Sequence, residues 1–182
     1  MSFLGTVARH LRERGTPFAL VGAAAMAVHG VSRATRDLDL LVLDRRCLEP
    51  AYWDALSAGG VHVDLRRGDA ADPLGGVVRL RDADAATLDV VVGKSRWQGD
   101  ILARAHAARV EDTSVPVAGR ADLILLKLYA GGHQDAWDIE QLLCGPERQA
   151  LLAAVERELP ALPEESRRLW ARIARRDDRP AT

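Results

Sequence analysis

Two aspartates one residue apart, Asp37 and Asp39, open the stretch Asp37-Leu-Asp-Leu-Leu-Val-Leu43. The apolar residues around them read as a strand, and side chains alternate faces along a strand. Leu38 and Leu40 then point one way, while Asp37 and Asp39 share the other face about 6–7 Å apart. Two carboxylates brought to 4–6 Å repel by roughly 3–4 kcal/mol at an effective dielectric of 20. A hard cation between them removes that repulsion, and Mg²⁺ takes one or two carboxylates plus substrate phosphates as its ligands. Asp89, in Leu88-Asp-Val-Val91, offers a third carboxylate on another apolar strand. Three acids on two neighbouring strands can hold two Mg²⁺ for an in-line displacement at phosphorus.

Before Asp37, and separated from it by thirteen residues, stands Leu20-Val-Gly-Ala23. A strand, then Gly22, then small residues opening a helix lets backbone N–H groups approach a phosphate closely. Taken alone, Gly22 is a plain strand-to-helix turn and the aspartates a polar strand edge; their order and spacing together favour the phosphate reading. Lys127 is one of only two lysines, the other being Lys94, against 23 arginines. It interrupts an apolar helix (Leu123, Ile124, Leu126, Leu128), where an ammonium needs a polar destination. That destination is phosphate or, on the plainer reading, solvent reached by snorkelling. Asp135 and Asp138 lie three apart on one helical face, and Asp135 reads as an ordinary charge at a helix start. Gly93-Lys94-Ser95 is not the end of a P-loop, because the position five before Gly93 is Leu88. Five histidines (10, 29, 62, 106, 133) show no metal-ligand spacing; His29 and His106 read as core-edge residues of apolar helices.

The elements that must position these residues follow from periodicity and punctuation. Helices are expected over 2–14, 23–29, 49–58 and 99–109. Strands are expected over 18–21, 37–43, 61–66, 77–81 and 87–92, with 114–118 as a short edge strand because it contains Pro116. From Arg120 onward only helices are expected: 121–130, 134–143, 147–158 and 164–176. This predicts an α+β core over 1–119 and a helical part over 120–182 within the same compact unit. Of 182 residues, 48% are hydrophobic and 28% charged, an ordinary globular composition. A net charge of −1 argues against a globally basic nucleic-acid binder and leaves a local basic patch open. No apolar run nears the ~20 residues of a membrane span, and no signal-peptide pattern opens the chain. With Cys47 and Cys144 read as unpaired thiols, a cytoplasmic protein without a membrane partner is expected. Arg167, Arg168 and Arg172 line an amphipathic helix packed through Leu169, Trp170 and Ile173; it reads as a solvated face, with contact to a polyanion such as tRNA as the alternative.

The series Leu20-Val-Gly-Ala, Gly30, Arg33, Thr35, Asp37, Asp39 resembles the signature of the nucleotidyltransferase (polymerase β-like) superfamily. The later stretch Ala121-Asp-Leu-Ile-Leu-Leu-Lys-Leu-Tyr-Ala, with Asp135, Asp138 and Ile139, is similar to a motif of its small bacterial AbiEii-like branch, known from type IV toxins. Ala23 departs from the pattern, standing where the family carries a second glycine or a serine. The resemblance implies a mixed β-sheet flanked by helices, with an all-helical C-terminal part. It implies that Asp37 and Asp39 bind two Mg²⁺, that Asp89 joins them and accepts the proton of an acceptor hydroxyl, and that Gly22 and Ala23 face the β- and γ-phosphates. Lys127 would contact the triphosphate, with Asp138 orienting it; Arg33 and Arg36 would bind phosphate or brace their loop. The implied reaction is transfer of NMP from an NTP such as ATP, GTP or CTP, with release of pyrophosphate. RNA, a protein side chain or a small molecule is the acceptor, and a cognate antitoxin is a further implied partner. The alternative is a catalytically silent nucleotide-binding or antitoxin-like interaction module.

Overall fold

The computed structural model describes residues 2–31, 37–84, 86–132 and 134–174. The chain divides into two compact units, Met1–Ala118 and Gly119–Thr182.

The first unit is built on a seven-stranded mixed sheet of order β3-β4-β5-β2-β1-β7-β6. Its strands are β1 (Phe18–Val21), β2 (Leu38–Val42), β3 (His62–Arg67), β4 (Gly76–Arg81), β5 (Thr87–Val92), β6 (His106–Val110) and β7 (Thr113–Val117). Its helices are α1 (Phe3–Glu13), α2 (Gly22–Val28), α3 (Asp54–Ala58) and α4 (Arg96–Arg104). Ser2 caps α1 by accepting the Gly5 N–H, and Leu4, Val7, Ala8 and Leu11 form its buried stripe. At the centre, β2 runs antiparallel to β1 and parallel to β5. Leu40, Val42, Leu88, Val90, Val92, Val78 and Leu80 share one face of the sheet and are fully buried. Leu48 is seated so close to Gly76, at the start of β4, that a Cβ there would meet it at 2.6 Å.

Three expectations are corrected. The expected helix over 49–58 is a 3₁₀ turn, Pro50–Trp53, followed by the short α3, with a further 3₁₀ turn, Arg45–Leu48, just before it. Side-chain anchors set this tighter path: Trp53 Nε1–H donates to the Cys47 carbonyl at 2.8 Å, and the Tyr52 hydroxyl shares a 2.7 Å hydrogen bond with Thr16. Burial pushes the Cys47 thiol up to about 11, so it stays protonated and unreactive. The expected helix over 99–109 begins earlier and stops at Arg104, and His106 lies on the exposed strand β6. Gln98 starts α4 by accepting the Lys94 and Ser95 N–H groups at 2.9 Å, while β6 forms because its hairpin partner β7 supplies the hydrogen bonds. Finally, β7 is internal despite Pro116. The Pro116 nitrogen, like that of Ala118 two residues on, faces β1, and β1 pairs with β7 only at Leu20↔Val117. No ladder bond to β6 is lost.

The second unit contains α5 (Arg120–Ala130), α6 (Asp135–Leu143), α7 (Arg148–Glu158) and α8 (Glu164–Ala174). Gly131 ends α5 in the left-handed region at φ 65°. Leu123, Ile124, Leu128, Ile139, Leu142, Leu143, Val155, Trp170 and Ile173 are buried. On α8 the arginines are exposed, and Arg168 pairs with Glu164 one turn back at 2.5 Å. Among the described residues no helix is long and apolar enough to cross a membrane.

Candidate functional site

Five residues in register form one row across the sheet: Asp64 on β3, Arg79 on β4, Asp89 on β5, Asp39 on β2 and Val21 on β1. Paired residues of neighbouring strands point to the same face, so Asp39 and Asp89 emerge side by side on the face opposite the apolar one. Asp37, two residues before Asp39, lies at the same edge and is exposed.

Gly22 closes this row. It follows Val21, the register partner of Asp39, and adopts φ +66°. A Cβ at this position would lie 2.1 Å from Asp39 Oδ2. Only glycine meets both demands, a left-handed backbone and contact with a carboxylate oxygen. Ala23 occupies the next position of α2. Arg33 and Arg36 lie outside the described residues.

Asp89 is held by a residue that the sequence reading passed over. Arg79 donates from Nε to Asp89 Oδ1 at 2.8 Å and from Nη2 to Oδ2 at 2.7 Å. The carboxylate side chain is 14% exposed and the guanidinium side chain 50%. Hydrogen bonding to Asp89 and its charge, with smaller contributions from Asp37 and Asp64, hold the Arg79 proton more tightly than usual. A signal for this pair was available: β4 and β5 form a hairpin, and counting back from Arg81↔Thr87 sets Arg79 opposite Asp89. Beside the pair lies a cleft of about 440 Å³, lined by Asp64, Arg66, Pro73, Leu74, Val77 and Arg79 among others.

Two carboxylates on one sheet face, with Asp37 at the strand's start and a side-chain-free backbone against Asp39, suit a divalent cation bound with phosphate. Among the described residues, however, no three acidic, histidine or cysteine side chains are gathered into a ready-made metal-binding group. Arg79 supplies a reason, since it engages both oxygens of Asp89.

In the helical unit, Lys127 Nζ donates to Asp138 Oδ2 at 2.5 Å and to Asp135 Oδ1 at 2.9 Å. Asp138 is fully buried, and the other two side chains are 16% and 13% exposed. Burial works to lower the Lys127 pKa, but the hydrogen bonds from Asp138 and Asp135 outweigh it and the net direction is upward. Asp135 is therefore more than a helix-start charge: it binds Lys127 and also accepts the Gly132 N–H at 2.7 Å. Lys94, the other lysine, donates to the carbonyls of Asp69 and Ala70 at 3.2 Å and fastens a loop.

No family model matches the chain, and no curated protein matches it. Solved structures do. A candidate nucleotidyltransferase from Thermotoga maritima aligns at a TM-score of 0.53 and 13% identity, over 77% of this chain and 89% of that one. An antigenic nucleotidyltransferase-like protein from Paracoccidioides brasiliensis aligns at 0.50 and 15% identity, over 90% of each chain. The chain has the nucleotidyltransferase fold. A lincomycin-bound lincosamide antibiotic adenylyltransferase, LnuA, aligns at 0.48 and 13% identity, over 76% of this chain and 93% of that one. Within the fold, the strand pair β2–β5 carries Asp39 and Asp89, Asp37 immediately precedes β2, and the β1–α2 junction carries Gly22.

Proposed function

We propose that this chain is a nucleotidyltransferase that moves NMP from an NTP to an acceptor hydroxyl and releases pyrophosphate. The observation that carries the reading is the convergence on one sheet face of Asp39, Asp89 and a glycine whose missing side chain leaves room only for Asp39. The acceptor oxygen attacks the α-phosphorus, the bond from that phosphorus to the bridging oxygen breaks, and pyrophosphate leaves with the bonding pair. Asp89 receives the hydroxyl proton. Asp37 and Asp39, joined by Asp89, would hold Mg²⁺, which when bound offsets the charge building on the phosphoryl oxygens. Gly22 and Ala23 present backbone, not side chains, to the phosphates. On the resemblance to the AbiEii-like branch, Lys127 serves phosphate and Asp138 orients it, and RNA and a cognate antitoxin enter as acceptor and partner; a small molecule or protein hydroxyl fits the same chemistry.

One observation favours a second reading, a silent nucleotide-binding module. Ala23 removes the hydroxyl contact that a serine would make. The deciding experiment incubates the protein with each α-labelled NTP, Mg²⁺ and total RNA or lysate, with Asp39→Asn as control. The expected result is label transfer and pyrophosphate release that disappear in Asp39→Asn. NTP binding by calorimetry with no pyrophosphate from any NTP would establish the silent module instead.

A further inference from the structure

The charge row on the sheet contains one cation among acids. Arg79 stands between Asp64 and Asp89, with Asp39 beyond Asp89 in the same register. We propose that Arg79 is an exchangeable counter-ion for Asp89: its guanidinium fork occupies both carboxylate oxygens until a divalent cation competes for them, and then withdraws toward Asp64. The proposal rests on the nucleotidyl-transfer reading, since that reading requires Asp89 to join Asp37 and Asp39.

Geometry supports each half of the exchange. The hold is two-point, at 2.8 and 2.7 Å, so both oxygens are engaged at once. Release is also provided for. The guanidinium side chain is half exposed, so water can take over its hydrogen bonds as it leaves Asp89. Asp64 is the neighbouring acid on its far side, and the Asp64–Arg66 contact is long, 3.8 Å. The cleft lined by Asp64, Arg79 and Asp89 gives the side chain a path between the two acids. Arg79 would thus tie the availability of the third carboxylate to the arrival of the cation, acting through Asp89 as a positioning residue.

The test is Mn²⁺ binding to the full-length, nucleotide-free protein, read by electron paramagnetic resonance. The variants are Arg79→Gln, Arg79→Lys and Asp39→Asn. Arg79→Gln should bind Mn²⁺ about tenfold more tightly, the factor expected for removing a unit positive charge some 6 Å from a divalent ion in water. Arg79→Lys keeps the charge but loses the planar fork, so it should bind with intermediate affinity. Lysine-variant affinity equal to wild type, beside a tighter Arg79→Gln, would mean a through-space charge effect and overturn the exchange. Equal affinity in all but a non-binding Asp39→Asn would overturn the exchange and leave the transferase reading standing. Absence of Mn²⁺ binding in every protein would overturn the exchange, while the labelled-NTP assay decides the transferase reading separately.

Discussion

Gly22 and Gly30 offer a matched comparison of what a single methyl group does. Both have positive φ, +66° and +81°, but a Cβ at Gly30 meets nothing within 4 Å whereas one at Gly22 strikes Asp39. Gly30→Ala should therefore cost only the left-handed backbone strain, about 1 kcal/mol. Gly22→Ala adds displacement of Asp39, and a loss of roughly 2–3 kcal/mol is expected. Urea unfolding of the two variants reads this difference. On the proposed function, transfer should survive in Gly30→Ala and vanish in Gly22→Ala. A Gly22→Ala protein as stable as Gly30→Ala would show that Asp39 moves aside freely. The glycine's need is legible only in part: the strand–Gly–small-residue pattern marks a turn, but the contact with Asp39 depends on the β1–β2 register.

Two elements are fastened by charges whose effects can be measured. Lys127 on α5 bridges to Asp135 and the fully buried Asp138 on α6. Lys127→Ala takes the ammonium from a buried carboxylate, and breaking a buried ion pair typically costs about 3–5 kcal/mol. Lys127→Met with Asp138→Leu removes both charges and should lose much less than the two single changes summed. The raised Lys127 pKa means that its stabilisation is complete below the unfolded-lysine value and is lost as pH rises through the folded value. Additive losses in the double variant would argue that the two side chains do not share one network. At the end of β2, Asp44 accepts from Arg46 N–H and Arg46 Nη2 and from the Thr16 hydroxyl. The Arg46 hydrogen bond is the largest cause holding Asp44 down to about 2. This stabilisation is present above the ordinary carboxylate range and disappears as pH falls through about 2. Asp44→Ala should cost about 1 kcal/mol at pH 7, with the gap to wild type closing between pH 4 and 2. A gap unchanged across that window in acid-unfolding curves would place the effect in packing, not in charge.

For the whole molecule, the proposed function predicts a linkage between ligand and stability. NTP with Mg²⁺ at about 100 times its Kd should stabilise the folded chain by roughly 2.7 kcal/mol. For a chain of 182 residues that is a rise in Tm of roughly 5–10 °C. Mg²⁺ or NTP alone should give less, and Asp39→Asn should abolish the combined effect. A Tm unmoved by any NTP with Mg²⁺ would mean that the acids serve structure alone.

Residue order alone determined most elements, the place of Asp39 on a strand, and the isolation of Lys127 among apolar neighbours. These are local properties: side-chain alternation and helical spacing are written in consecutive residues. The same locality misled at 99–109, where a helical pattern ran on into residues that β7 draws into a strand. Tertiary structure decided that β5 lies beside β2 with Asp89 opposite Asp39, although fifty residues separate them. It also decided that β7 is internal, that Asp135 joins Asp138 on Lys127, and that Arg79 is the cation between Asp64 and Asp89. Strand order and register arise from burying one apolar face across all paired strands at once. That sum runs over residues far apart in the chain, so no single stretch of it records the outcome.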